Sequence, residues 1–182
     1  MTVSKAVDPL TQASVSIAWL IIANKPFYPV YVWWLVGSGV EASLWTLAGA
    51  PLFLAVPLLA KRSPLLARAA LPMAGLIDTL FETKLFGADS GTELFLAACV
   101  MLAAVSFRRH EMWWQRAIAV IIFAAFAALH GRYGTALYIW SAEDLATFRG
   151  LNAFAVAGLL TFIAIRYAGI DRAPPPARDR PR

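Results

Sequence analysis

Two carboxylates stand in the middle of a long apolar run. Asp78 and Glu82 lie four residues apart, so on a helix they share one face, about one turn from each other. Such a pair can hold a proton, accept hydrogen bonds from a ligand or, together with an imidazole, bind a divalent ion. An aspartate at the centre of a membrane helix costs roughly 2.5–3.5 kcal/mol on insertion scales, so Asp78 needs a polar partner or a wet cavity. Glu41, further upstream, and His130, Arg132 and Arg149, downstream, are the other groups that can reach the same end of the molecule. One of those three cations pairing with Asp78 or Glu82 would make a polar cluster. A site of Asp78, Glu82 and His130 could ligate a metal, but no ligand-spaced motif supports it. No metal is expected. Haem is excluded more firmly, because His110 and His130 are the only histidines and about 30 Å of helix would separate them. No cofactor is expected, and no serine, cysteine or phosphate-loop machinery suggests an enzyme.

Composition fixes what must position these groups. The 182 residues are 60% hydrophobic and 15% charged, with a mean hydropathy of +0.64. A soluble domain is about 45–50% apolar and about 25% charged. Lipid is therefore the expected solvent. The net charge of +5 falls in short clusters between apolar runs, a topogenic pattern that argues against nucleic acid as a partner. Cys99 is alone, which excludes an intrachain disulfide. No small-residue cleavage site follows the apolar run from Val15 to Ala23, so a cleaved signal peptide is not expected.

The expected fold class is all-α: a bundle of six transmembrane helices over residues 15–170, after a polar segment at 1–14 and before a disordered, basic, proline-rich tail at 171–182. The spans read as 17–42, kinked at Pro26 and Pro29, then 44–60, 65–86, 92–107, 113–129 and 151–168. Gly87 ends the third. Ser90 to Glu93 reads as a capping box that starts the fourth, and Ser141 to Asp144 as another that starts a short surface helix. An even span number places both termini on one side. Thirteen of the 16 Lys and Arg, Lys25 among them, fall on that side, which makes it cytoplasmic. Trp33 and Trp34 suit either an interfacial anchor or a pocket wall. Small residues at four-residue spacing, such as Ala153 with Ala157, suit close helix packing.

The run TKLFGADSGTELFL at 83–96, closing its helix in Phe107-Arg108-Arg109, resembles a signature of six-helix membrane input modules. Those modules precede the output domains of bacterial adenylate cyclases and sensor histidine kinases, including quorum-sensing receptor kinases. The proline-aromatic PFYPVYVWW at 26–34 is similar as well. The resemblance implies a pocket for a small lipophilic signal, a homodimer that signals through the sixth helix, and a bacterial inner membrane. Such receptors continue into a catalytic domain, whereas Pro174-Pro175-Pro176 would break a signalling helix here. The resemblance therefore implies a separate output protein. Asp78, Glu82, Glu41, Trp33, Trp34 and His130 are the candidate ligand-binding residues on position and chemistry.

Overall fold

A computed structural model describes residues 8–170, and every regular element in it is a helix. Residues 1–7 and the expected tail at 171–182 lie outside the described residues. The helices are α1 (Pro9–Asn24), α2 (Phe27–Leu35), α3 (Val40–Ser43), α4 (Ala50–Ala60), α5 (Pro64–Phe86), α6 (Phe95–Val105), α7 (Met112–Leu129) and α8 (Ala142–Tyr167). Short 3₁₀ stretches at Leu44–Gly49, Ala88–Ser90, Thr92–Leu94 and Arg109–Glu111 join them.

Local chemistry sets the boundaries. Asp8 caps α1, Ser63 caps α5, and each helix opens on a proline, the residue whose missing N–H costs nothing at that position. Gly87, at φ 90°, closes α5. The Ser141–Asp144 capping box forms as expected. It starts no separate surface helix, however: α8 runs unbroken for 26 residues through Gly150 and the expected sixth span.

Among the described residues, four continuous stretches are long and apolar enough to cross a membrane: Val40–Ala60, Pro64–Phe86, Arg109–Leu129 and Ala142–Tyr167. The helix at Thr92–Val105 is apolar but shorter. The expected kinked span at 17–42 is two helices. Pro26 and Pro29 carry no N–H to return to the preceding turn, so α1 stops at Asn24 and α2 starts afresh. At its other end α1 begins eight residues early, inside the segment expected to be a polar lead-in. Leu10, Thr11, Ala13 and Ser14 are buried there. Their hydroxyls find partners, Thr11 on Asp8 and Ser14 on the Leu10 carbonyl and the Tyr167 hydroxyl.

Helix α5 is the axis of the bundle. Half of its membrane-length window is buried, against 11% for the α7 stretch, whose Val120 and Phe123 point outward. A core of Leu10, Ile17, Phe53, Leu71 and Ile163 joins α1, α4, α5 and α8. A second, around Leu76, Phe107 and Ile122, joins α5, α6 and α7. An aromatic cluster of Phe86, Trp140 and Phe148, with Val32, closes the far end.

The near end is closed by charge. Asp8 pairs with Arg68 at 2.9 Å and with Arg108, and Arg68 also meets Glu111 at 2.5 Å. Burial pushes the Asp8 carboxyl up, but the Thr11 hydrogen bond and the two arginines outweigh it and leave it below the usual carboxylate range. A depressed folded pKa means stability that is present above the unfolded value, near 3.8, and lost as pH falls through the folded one. Asp8→Asn keeps the cap and removes the charge. It should lower stability by about 2 kcal/mol at neutral pH. The gap from wild type should begin to narrow as pH falls below about 4. Thermal unfolding of both proteins across pH 3–7 checks this, and a gap independent of pH would refute it.

Candidate functional site

Asp78 and Glu82 project from α5 as the sequence predicts, and their partner is a residue that sequence reasoning placed elsewhere. Lys25, at the C-terminal end of α1, sits with its Nζ 2.7 Å from both carboxylate oxygens of Asp78 and 2.6 Å from Glu82 Oε1. All three side chains are buried. The sequence places this lysine within the kinked first span and counts it with the cytoplasmic charges. It is buried inside the bundle and belongs to neither side. The available signal was a lysine between two apolar stretches each too short to span alone, which marks an intramembrane ionisable group.

Backbone makes the wall behind this cluster. Gly49, at the end of the 3₁₀ stretch, lies so close that a Cβ there would stand 1.8 Å from Asp78 Oδ1. The Phe53 ring lies 5.9 Å from Lys25 Nζ. In front of the cluster a cavity of about 490 Å³ opens between α1, α2 and α8, floored by α5 and α6. Apolar side chains such as Leu20, Leu71, Leu102 and Phe154 make most of its lining, and Lys25, Asp78 and Glu82 make its polar end. Tyr28 also lines it and donates to Asn152 of α8 at 3.4 Å. Asn152 in turn donates to the Ser90 carbonyl at 3.0 Å.

The remaining candidates divide. Trp33 and Trp34 are both exposed, and of the two Trp34 lines the cavity. Glu41 is exposed and outside it. Glu82 is held in the bundle by Lys25. His130 is also elsewhere: its Nδ1 lies 2.8 Å from Glu93 Oε2, and its ring is largely exposed. Neither Arg132 nor Arg149 approaches the acids; Arg149 pairs with Asp89. Among the described residues, no three of His, Cys, Asp and Glu gather closely enough to hold a metal ion.

The expected capping box at Ser90–Glu93 does not form. Gly91 takes a left-handed φ of 78°, so the chain turns before the helix, and no side chain caps the stretch that follows. Ser90 instead donates to the Gly87 carbonyl and joins a buried hydroxyl chain through Thr92 to Thr83. Glu93 is taken by His130 and Tyr133. Burial, the Glu93 charge and its hydrogen bond push the Tyr133 phenol up to about 12, so it stays a donor at neutral pH.

Compared with family models, curated proteins and solved structures, the chain matches none.

Proposed function

We propose that this chain is a multi-pass protein of a bacterial inner membrane, with six spans and both termini cytoplasmic, that binds a small lipophilic molecule and signals its presence to a partner. The observation that carries this reading is the cavity in front of Lys25, Asp78 and Glu82: apolar walls, one polar end and an opening between helices. Ligand sites commonly combine an apolar lining with a few placed polar groups. At the ~30 Å³ that a water-sized group occupies, the space suits roughly sixteen non-hydrogen atoms. The resemblance of residues 83–109 to six-helix input modules agrees with it. On that reading α1 and Thr92–Val105 complete the six spans, and α8 carries the response to a second copy or a separate output protein.

The test is retention of a ligand. Gly158 lines the cavity, and a Cβ there meets nothing within 4 Å, so Gly158→Phe should obstruct the cavity without crowding the bundle. Wild-type protein in nanodiscs, exposed to membrane lipid extract, should retain small molecules by mass spectrometry that Gly158→Phe loses, with the melting temperature of the unliganded protein unchanged. No difference between the two would refute the reading.

One observation favours a second reading. The cluster has two carboxyl groups for a single lysine, as a proton or cation carrier would use. Flux into proteoliposomes that disappears in Asp78→Asn would select transport over sensing.

A further inference from the structure

We infer that the ligand is a cationic amphiphile: an alkyl chain lying among the apolar walls, with an ammonium head on Glu82. This rests on the binding function proposed above and adds the chemistry of the head.

The cation of the cluster has no proton left to offer. An ammonium has three N–H bonds, and those of Lys25 go to Asp78 Oδ1, Asp78 Oδ2 and Glu82 Oε1. Lys25 keeps none for a carboxylate or phosphate head. Acceptors do remain. Glu82 lines the cavity, and its Oε2 accepts no hydrogen bond among the described residues. With all three groups ionised, the cluster carries a formal charge of −1 in surroundings that are otherwise apolar. An ammonium head neutralises that charge and supplies the missing donor. A hydroxyl supplies only the donor, and an anionic head repeats the charge already in excess. The cluster is fixed before binding, because Gly49 backs Asp78 and Asp78 holds Lys25. Offering its protons to an anion would make Lys25 give up its bonds to the two acids. The tail has a matching place, since Leu20, Leu102 and Phe154 line the same cavity.

The experiment measures binding of decylamine, decanol and decanoate to the whole protein in nanodiscs, corrected for uptake by empty nanodiscs. Decylamine should bind tightest, by about tenfold over decanol, the ratio that one charge-assisted hydrogen bond supplies, and decanoate weakest. Glu82→Gln should erase the preference for the amine while leaving decanol binding in place. The wild-type series needs no variant, so a misfolded Glu82→Gln leaves the question decided. Decanol or decanoate binding as tightly as the amine would overturn the cationic head and leave the binding function standing. Absence of specific binding by all three, together with no difference between wild type and Gly158→Phe in extract, would overturn both.

Discussion

Lys25→Met should be the most damaging single change in the charged groups of this protein. It leaves Asp78 and Glu82 facing each other in the bundle, with no cation in contact with either. Removing one partner of a buried ion pair costs about 3–5 kcal/mol, most of it the penalty of the charge left behind. Here two like charges are left. For a chain of this size that corresponds to a fall on the order of 10 °C in melting temperature. Asp78→Asn should cost less, because Lys25 and Glu82 still balance. Lys25→Met combined with Asp78→Asn and Glu82→Gln should recover most of the loss, since no ion remains to be desolvated. Thermal unfolding of the three variants in nanodiscs makes the comparison. A Lys25→Met protein within about 2 °C of wild type would mean that water, not the lysine, solvates the acids.

That ordering also explains which parts of the site could be read from the sequence. Asp78 and Glu82 announce themselves because a charge in an apolar run is rare and expensive. Lys25 is just as buried, yet a proline follows it, and a polar triplet between apolar runs has the composition of a connection. Counting every lysine toward one side or the other therefore misplaced the one that matters most. The fold divides in a similar way. The helices ending at Ala60, Phe86 and Leu129 were legible because charge and glycine punctuate the apolar runs. The start of α1 was not, because Thr11 and Ser14 look like solvent-facing residues. Only the fold reveals that Asp8 and Tyr167 satisfy them. At Ser90–Glu93 the pattern matched a capping box, but the left-handed turn at Gly91 took the backbone elsewhere. A four-residue pattern specifies which hydrogen bonds are possible, and the distant residues Thr83, Tyr133 and His130 decided which ones form.

Gly49 is the sharper case, and it carries the second large effect. Its φ of −74° is ordinary helical backbone, so nothing in its conformation requires glycine. The requirement is steric and comes from residues far away in the chain. An alanine Cβ would stand 1.8 Å from Asp78 Oδ1, 2.8 Å from Asp78 Cγ and 2.9 Å from Lys25 Nζ. A surface aspartate would swing aside. Asp78 is held by two 2.7 Å bonds to Lys25, so it can move only by loosening the ion pair. Gly49→Ala should therefore combine overpacking, typically about 1–3 kcal/mol, with a weakened buried pair, despite a gain in helix propensity of about 1 kcal/mol. A double-mutant cycle separates these terms. In an Asp78→Ala background the two closest clashes are gone, Lys25 Nζ at 2.9 Å is no longer tied to Asp78 and can shift, Lys25 and Glu82 still neutralise each other, and Gly49→Ala should cost little or become stabilising. The coupling between the two positions should reach about 2–3 kcal/mol. Additive costs would show that the helix backbone yields at Gly49 instead, and that the wall behind Asp78 is soft. A coupling of the expected size would establish that the 3₁₀ stretch holds the carboxylates in place, as a site that discriminates between ligand heads requires.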